Sequence, residues 1–362
     1  MAFNAYMHPR NPYKDNPPDF SKLGDEFADF KKYVQYNKSG KPFINFRNCA
    51  AVRELTIALL KKHFEIKLTL PTNSLVPTVP LRLNYILWLE DILNCNGFDR
   101  KKVVFDIGCG SSCIYPLLGV AKNPEWKFFA SDIDDRNLQS AKENVENNNM
   151  TSKITLIKSS GALIFPNELE KLDACMCNPP FFNDQVEMDA TKMRPTANSS
   201  CAGSKTETIS EGGDLKFATK MVEESMTVGD RIKWYSIMLG KKQTLKSVLS
   251  ILKGKHITTT VTTEFCQGNT MRWGVAWTFL KDIPSQALPV SLFQKSILKK
   301  QKKPIQIKSV VHKLEECLTS LKRILEEISV NYTVTKETSK LTLHIKAQAD
   351  SWCHTRRKRR QK

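Results

Sequence analysis

The stretch Val103-Val-Phe-Asp-Ile-Gly-Cys-Gly-Ser-Ser112 joins a short apolar run to a turn that contains two glycines. A helix-like run follows at residues 114–120, and further apolar runs lie at residues 126–131, 154–158 and 172–177. The apolar runs are short enough to be strands, and segments with helical periodicity separate them. Strands that alternate with helices predict a parallel, doubly wound sheet.

The second half of the chain adds three strands to this sheet. A predicted strand at residues 231–239 lies between predicted helices at residues 214–226 and 243–253. Two runs rich in Thr, Val and Trp, at residues 257–265 and 272–280, are joined by a turn that contains a glycine, which predicts an antiparallel pair. The sequence therefore predicts an α/β fold with a seven-stranded, mostly parallel sheet.

Residues 1–100 predict a basic, helical extension ahead of the sheet. Apolar side chains at helical spacing predict helices at residues 20–34, 49–63 and 81–93. Two prolines shortly before residue 81 are typical of the start of a helix.

Composition sets the other expected domain bounds. Residues 101–282 form the predicted core, and residues 283–306 form a basic linker with three prolines. One helix and one hairpin are expected in residues 307–350, which is a small α+β appendage with too small a core to be autonomous. A basic tail, residues 351–362, ends the chain.

The charge of the chain favours an anionic partner. Lys and Arg number 55 and Asp and Glu number 37, so the formal net charge is +18. An excess of this size favours nucleic acid first and an anionic membrane surface second. The sequence has no apolar run of transmembrane length, so we expect no membrane-spanning segment.

Both termini contain basic residues that fit a nucleic-acid partner. Residues 1–19 combine prolines with basic and aromatic side chains, and either lie along a phosphate backbone or form a loosely packed terminus. The run Arg356–Arg360 is typical of a nuclear import signal, an RNA contact or a solvating tail. We therefore expect the protein in the nucleus, with the cytoplasm as the second location.

The ten cysteines follow no regular disulfide or zinc pattern. Several lie in apolar segments, where a small buried thiol is the expected role. A reducing, intracellular compartment and no metal site are the resulting expectations.

The glycine turn predicts a cofactor site. Gly108 and Gly110 allow the backbone to approach a ligand closely, and a helix begins behind them. Cys113 stands where a dinucleotide fingerprint has its last glycine, so that fingerprint is incomplete. Asp132 ends the next predicted strand, at the position where an acid accepts the hydroxyls of a ribose.

The end of the fourth predicted strand has the sequence Asn178-Pro179-Pro180-Phe181. Neither proline can donate to a strand ladder, so the strand ends with a polar amide, rigid carbonyl groups and an aromatic ring. An amide oxygen and a Pro carbonyl can accept both N–H groups of a planar amine while Phe181 stacks on its ring. The alternative is an Asn-Pro turn that only ends the strand.

Arg82 lies in the first turn of the third predicted helix, where the helix dipole disfavours a cation. Its position predicts a nearby carboxylate, either that of a ligand or that of a surface ion pair.

These motifs resemble those of class I, Rossmann-like, S-adenosylmethionine-dependent methyltransferases that methylate amines. More closely, they resemble the methyltransferase-like protein 16 family. The resemblance covers roughly residues 1–280 and rests on Pro77-Thr-Val-Pro-Leu-Arg82-Leu-Asn-Tyr, Cys113-Ile-Tyr-Pro-Leu-Leu-Gly, Cys175-Met-Cys-Asn-Pro-Pro-Phe-Phe, Trp234-Tyr-Ser, Met238-Leu-Gly-Lys-Lys, Thr263-Glu-Phe-Cys-Gln-Gly and Thr270-Met-Arg-Trp. It implies methylation of adenosine N6 in structured RNA, chiefly U6 small nuclear RNA at a UACAGAGAA-type site. Hairpins of S-adenosylmethionine synthetase messenger RNA are a further implied substrate.

The resemblance also implies roles for individual residues. The catalytic group that holds the target base comprises Asn178, Pro179, Pro180 and Phe181. The residues implied to bind S-adenosylmethionine are Arg82, Asp106, Gly108, Gly110, Asp132, Leu163 and Asn178. The residues implied to bind RNA are Arg10, Lys14, Arg231, Lys233, Lys241, Lys242 and Arg272.

Two positions and one loop segment depart from the family pattern. Asp132 replaces a usual Glu, and Asn269 replaces a usual Arg in the RNA-facing turn. The segment Gly161-Ala162-Leu163 lacks the lysine that relatives carry beside the cofactor. The resemblance therefore does not extend to autoinhibition by that lysine.

Two other functions compete with RNA methylation. The Asn-Pro-Pro-Phe sequence also suits a planar amide, which would make the chain a protein glutamine methyltransferase. Alternatively, the fold is catalytically weak and serves as an RNA-binding module. The net charge argues against the first alternative, and the presence of Asn178, Gly108 and Asp132 argues against the second.

Overall fold

The structure is a computed structural model and describes residues 4–95, 100–166, 171–184, 205–281, 283, 288–289, 314–327, 331–337 and 340–346. The chain divides into two compact units, residues 1–299 and residues 300–362. The predicted linker lies almost entirely outside the described residues, as do the basic tail and most of the loop after Phe182.

The first unit begins with a helical region. Its elements are α1 (Phe20–Glu26), α2 (Ala28–Lys31), β1 (Gln35–Tyr36), β2 (Pro42–Phe43), α3 (Cys49–Phe64) and α4 (Val79–Asn94). Strands β1 and β2 form a small antiparallel hairpin that the sequence did not predict. Helices α3 and α4 confirm the second and third predicted helices to within two residues.

The prediction of one helix over residues 20–34 was wrong, because the chain breaks at Phe27. That residue is extended, with φ −126° and ψ 98°, and separates α1 from α2. The turn folds the second segment back onto the first, so that Val34 lies against Gly24. A Cβ atom at Gly24 would be 3.3 Å from the Val34 side chain. Tertiary packing therefore overrides the helical periodicity.

The described part of the N-terminal arm packs onto α4. Met7 and Tyr13 are buried, and Asn11 donates hydrogen bonds to Pro80 O and Asn84 Oδ1 at 2.9 and 2.8 Å. A loosely packed terminus is therefore excluded from residue 4 onward.

The central sheet confirms the predicted fold class. Its strands, in chain order, are β3 (Val103–Ile107), β4 (Lys127–Asp132), β5 (Ile154–Lys158), β6 (Leu172–Cys177), β7 (Ile232–Leu239), β8 (Thr260–Gln267) and β9 (Thr270–Trp277). Their order across the sheet is β5-β4-β3-β6-β7-β9-β8. Strands β3 to β7 are parallel, and β9 is antiparallel to both of its neighbours.

Helices complete the first unit on both faces of the sheet. They are α5 (Ile114–Lys122), α6 (Asp135–Asn147), α7 (Lys205–Thr208), α8 (Gly213–Val228) and α9 (Lys242–Gly254). Successive residues of a strand point to opposite faces, so Val104 belongs to one apolar core and Phe105 to the other. From β3 the chain continues to β4 and β5 on one side and later to β6 and β7 on the other, so the strand order reverses between β3 and β6. The carboxyl ends of the strands at this point form the crevice where ligands of such sheets bind.

The second unit contains helix α10 (Leu314–Glu327) and the antiparallel hairpin of β10 (Asn331–Glu337) and β11 (Lys340–Lys346). This is the predicted order of one helix and two strands. Across the described residues, no helix is both long and apolar enough to cross a membrane, and no group of three potential metal ligands occurs.

Candidate active site

Asn178 lies directly after β6, at the carboxyl edge of the sheet. Its Oδ1 atom is buried and has no hydrogen-bond partner among the described residues. The preceding residue is fixed by Tyr85 of α4, whose hydroxyl lies 3.3 Å from Cys177 N and 3.0 Å from Ser236 Oγ. The end of β6 is therefore rigid, and it presents an unsatisfied acceptor.

The Phe181 ring lies between the end of β7 and a side chain of β9. A Cβ atom at Gly240 would be 3.1 Å from the ring, so a larger residue there would require the ring to shift by a few tenths of an ångström. The guanidinium of Arg272 lies 5.1 Å from the ring centre, within cation–π range. Burial, together with repulsion from Arg82, lowers the pKa of Arg272 to about 10.

The glycine turn after β3 has a conformation that requires glycine. Gly108 and Gly110 have φ values of +74° and +63°. The amides of Gly108 and Cys109 donate to Ser131 O at 2.9 and 2.8 Å, which ties the turn to the end of β4. The turn is therefore held beside the acid that ends β4.

Asp132 is the acid at the end of β4. Its Oδ2 accepts from Gly110 N at 2.9 Å, and its Oδ1 accepts from Asp134 N at 2.9 Å and Asn137 Nδ2 at 3.2 Å. Burial raises the pKa of Asp132, while these hydrogen bonds partly offset that effect. The carboxylate thus has a fixed orientation in the crevice.

Arg82 is buried in α4 and donates to the Tyr115 hydroxyl at 2.9 Å. Its Nε atom has no hydrogen-bond partner, and the described residues contain no ion pair to it. The alternative of a surface ion pair is therefore wrong. A buried guanidinium with an unsatisfied donor favours a ligand carboxylate.

Asp106 lies in β3 near Arg82 but does not line the cavity. It is completely buried, and both carboxyl oxygens lack hydrogen-bond partners among the described residues. Burial raises the pKa of Asp106 to about 8, against the opposing effect of Arg82. Asp106 is therefore mainly protonated at neutral pH.

A cavity of about 460 Å³ joins the groups described above. Arg82 and Asp132 line it together with the glycine turn and Asn178, and the exposed Leu163 lies at its wall. The residues predicted to bind the cofactor are thus brought together, except for Asp106. A buried cation, an oriented carboxylate and glycines that admit a close ligand fit S-adenosylmethionine, which has a carboxylate, ribose hydroxyls and a sulfonium centre.

The chain returns to the site after residue 204. Phe182 N donates to Thr208 O at 3.1 Å and Ser210 N donates to Phe182 O at 2.9 Å, forming an isolated parallel bridge. We call residues 205–213 the return segment. Glu207 from this segment lines the cavity, and its Oε2 accepts from Leu75 N at 3.0 Å.

The cavity-lining residues that the sequence interpretation did not assign include Glu207, Lys220 and Tyr115. Lys220 of α8 donates to the carbonyl oxygens of Gly161 and Ala162 at 3.2 and 2.8 Å, which holds the loop beside the cavity. Only Tyr115 had a local signal, because it follows the glycine turn directly. Glu207 and Lys220 reach the cavity through tertiary contacts that no short motif reveals.

The residues predicted to bind RNA lie in different places. Lys241 and Lys242 are exposed at the carboxyl end of β7, on the same edge of the sheet as Asn178, and Arg272 lies against Phe181. Arg231 and Lys233 lie at the amino end of β7, and Lys233 pairs with Asp173 at 2.8 Å. These two are therefore not brought to the site, and their binding of RNA stays a prediction.

The two predicted RNA-binding residues of the arm also differ from each other. Arg10 is held by α4, because its guanidinium pairs with Glu90 and Asp91 and donates to Leu87 O at 3.1 Å. Lys14 is partly exposed. Arg10 thus has a structural role in fixing the arm, and RNA binding by either residue stays a prediction.

Comparisons with known proteins agree with this geometry. Residues 1–281 match a family described as RNA methyltransferase. The chain is 39% identical over 383 residues to the RNA N(6)-adenosine-methyltransferase mettl16 of Danio rerio, which covers 100% of this chain and 80% of that protein. It is 41% identical over 288 residues to the U6 small nuclear RNA (adenine-(43)-N(6))-methyltransferase of Drosophila pseudoobscura pseudoobscura, covering 76% of this chain and 93% of that protein.

Solved structures show the same similarity. The crystal structure of the hMettl16 catalytic domain in complex with MAT2A 3'UTR hairpin 1 matches with a TM-score of 0.73 and 42% identity, over 79% of this chain and 98% of that one. The N-terminal domain of human METTL16 in complex with SAH matches with a TM-score of 0.65 and 40% identity, over 76% and 99%. The family match spans all residues that line the cavity.

Proposed function

The chain belongs to this family of RNA methyltransferases and uses S-adenosylmethionine as its methyl donor, and we propose that it methylates adenosine N6 in structured RNA. The observation that carries this proposal is the buried, unpartnered Oδ1 of Asn178 at the edge of the cavity. Relatives that act on U6 small nuclear RNA, and one solved with an mRNA hairpin, identify the two RNA classes to test.

The roles of the residues follow from the geometry of the site. When bound, S-adenosylmethionine supplies an electrophilic methyl group on a sulfonium sulfur. Arg82 would pair with its carboxylate, and Asp132 would accept hydrogen bonds from its ribose hydroxyls. Gly108 and Gly110 would allow it to approach the backbone closely. Because Tyr85 and the sheet hold the end of β6 rigidly, Asn178 is oriented before the substrate binds.

Asn178 Oδ1 and the carbonyl of Pro179 would accept the two N–H protons of the exocyclic amine, while Phe181 stacks on the base. An adenine amine is a poor nucleophile because its lone pair is delocalised into the ring. Fixing the nitrogen in line with the methyl group accelerates the displacement mainly through positioning and exclusion of water. The nitrogen can lose its proton after methyl transfer, so no strong base is needed.

The basic surface around the site would bind the RNA. The target adenosine must leave its stack to reach Asn178, at a free-energy cost of a few kcal/mol that is smallest in a loop or bulge. Lys241, Lys242 and Arg272 lie at the edge where the base would enter. The formal charge of +18 fits a nucleic-acid substrate better than a protein amide. We also propose nuclear localisation, based on the Arg356–Arg360 run.

The test is methylation of a defined RNA by the purified full chain. A hairpin with UACAGAGAA in its loop is incubated with S-adenosylmethionine, digested to nucleosides and analysed by mass spectrometry. We expect N6-methyladenosine from the wild type, none above background from Asn178→Ala, and little from the same nonamer inside a continuous duplex. No product from a wild-type protein that binds the hairpin tightly would instead favour the RNA-binding module.

A further inference from the structure

Glu207 places a carboxylate in the cavity. This carboxylate belongs to neither the glycine turn nor the Asn178 motif. Its Oε1 lies 3.5 Å from Ser111 Oγ and only 3.0 Å from the position that a Cβ atom on Gly110 would take. Its Oε2 is fixed by the amide of Leu75. The side chain is therefore oriented against the glycine turn, and a larger residue at Gly110 would require the carboxylate to move.

The cavity contains three carboxylates among its described lining residues, and they differ in exposure and in hydrogen bonding. Asp132 accepts hydrogen bonds from Gly110, Asp134 and Asn137. Glu211 is exposed and forms an ion pair with Lys216 at 2.7 Å. Glu207 is partly buried at the glycine turn, where its Oε2 accepts from Leu75 N and its Oε1 faces Gly110.

The amino-acid end of S-adenosylmethionine has a carboxylate and an ammonium group, and each needs an opposite charge when water is excluded. Arg82 supplies the buried cation for the carboxylate. An ammonium group has three donors and no acceptor, so a fixed carboxylate beside the glycine turn is its natural partner.

We propose that Glu207 is a further cofactor-binding residue, whose carboxylate pairs with the ammonium group of S-adenosylmethionine. This inference rests on the proposed function, because it takes S-adenosylmethionine as the ligand of the cavity. Glu207 and Arg82 together would recognise the zwitterionic end of the cofactor, while Asp132 recognises the ribose.

The position of Glu207 also links cofactor binding to the motif that holds the target base. The return segment is hydrogen-bonded to Phe182 on both sides of Ile209, and Gly212 N donates to Asn183 Oδ1 at 2.6 Å. A cofactor bound to Glu207 would therefore hold the return segment against the residues that follow Phe181.

Isothermal titration calorimetry on the full chain tests the proposal with two ligands. S-adenosylmethionine has the ammonium group, whereas 5′-methylthioadenosine lacks the whole amino-acid end. We expect Glu207→Gln to weaken binding of S-adenosylmethionine about tenfold or more and to change binding of 5′-methylthioadenosine less than twofold, because the ribose and adenine contacts remain. The matched control Glu223→Gln removes an exposed acid of α8 that does not line the cavity, and it should change both affinities less than twofold.

The outcomes separate this inference from the proposed function. Unchanged or tighter binding of S-adenosylmethionine by Glu207→Gln would overturn the role of Glu207, as would an equal loss for both ligands. Normal binding of 5′-methylthioadenosine by the variant shows that its cavity is folded. A wild type that binds neither ligand would instead contradict the proposed function itself.

Discussion

The guanidinium of Arg272 lies 5.1 Å from the centre of the Phe181 ring. The two residues come from distant parts of the sequence, one from β9 and the other from the segment after β6. Burial and repulsion from Arg82 lower the pKa of Arg272 to about 10, which still leaves it charged at pH 7.5. A positive charge is therefore held directly beside the ring on which the target base would stack.

Replacing this charge should weaken RNA binding more than cofactor binding. We expect Arg272→Met to raise the KM for the hairpin about tenfold, or roughly 1.4 kcal/mol, and to leave the affinity for S-adenosylmethionine within twofold. Lys127→Met provides a control of equal charge change, because Lys127 is exposed at the amino end of β4. Equal effects of the two variants on KM would show that only net charge matters.

Gly240 gives a second prediction, which concerns the position of Phe181. A Cβ atom there would be 3.1 Å from the Phe181 ring, so Gly240→Ala should displace the ring. We expect the methylation rate to fall roughly ten- to a hundredfold, because small misplacements at a reacting group have large effects. Binding of S-adenosylmethionine should be unchanged in calorimetry.

The matched control is Gly254→Ala, since a Cβ atom at Gly254 meets nothing within 4 Å. This variant should retain the wild-type rate. A Gly240→Ala enzyme with full activity would show that the contact between Phe181 and Gly240 does not position the base.

Local patterns in the sequence were sufficient to predict the sheet and the centre of the site. The strands are short apolar runs, and parallel strands place the residues at their carboxyl ends along one edge. Asp132 and Asn178 could therefore be assigned to one crevice before the structure was known. The glycine turn was equally local, because its positive φ values require the residue type that the sequence shows.

The other features depend on contacts between distant segments. The break at Phe27 follows from the packing of Val34 on Gly24, which periodicity cannot reveal. Glu207 reaches the cavity because the chain returns after residue 204 and pairs with Phe182. Arg231 and Lys233 lie at the start of a predicted parallel strand, which is the edge of the sheet opposite to Asn178. Strand direction was therefore sufficient to place them away from the site, but the sequence interpretation took only their charge into account.

Asp106 gives a third prediction, which concerns stability and pH. Its pKa is about 8 in the folded protein and 3.8 ordinarily, because burial disfavours the charged form. Between these values the unfolded chain has released the proton that the folded chain retains. This group therefore lowers the free energy of unfolding as pH rises from about 4 to about 8.

Asp106→Asn removes this titration while keeping the shape of the neutral side chain. The free energy of unfolding of the variant, relative to the wild type, should increase between pH 5 and pH 8 by an amount on the order of 3 kcal/mol. Urea unfolding at each pH measures both proteins. A constant difference over this range would mean that Asp106 does not change its proton affinity on folding.

The fourth prediction contrasts two pairs of cations that share one strand. Lys241 and Lys242 follow the carboxyl end of β7, whereas Arg231 and Lys233 lie at its amino end. A phosphate contact releases counterions, so log K decreases as log salt increases, and the magnitude of this negative slope drops by about 0.7 to 0.9 for each contact that is removed. Replacing both Lys241 and Lys242 by Met should therefore reduce the magnitude of the slope for hairpin binding by about 1.5. The same change at Arg231 and Lys233 should leave the slope nearly unaltered, because Lys233 pairs with Asp173 on the opposite edge.

Filter binding of the hairpin at several salt concentrations measures the slope for both double variants. Because both variants lose the same charge, the comparison distinguishes a local phosphate contact from a general effect of net charge. A larger effect at Arg231 and Lys233 would place the RNA across the amino edge of the sheet, where it could not bring a base to Asn178.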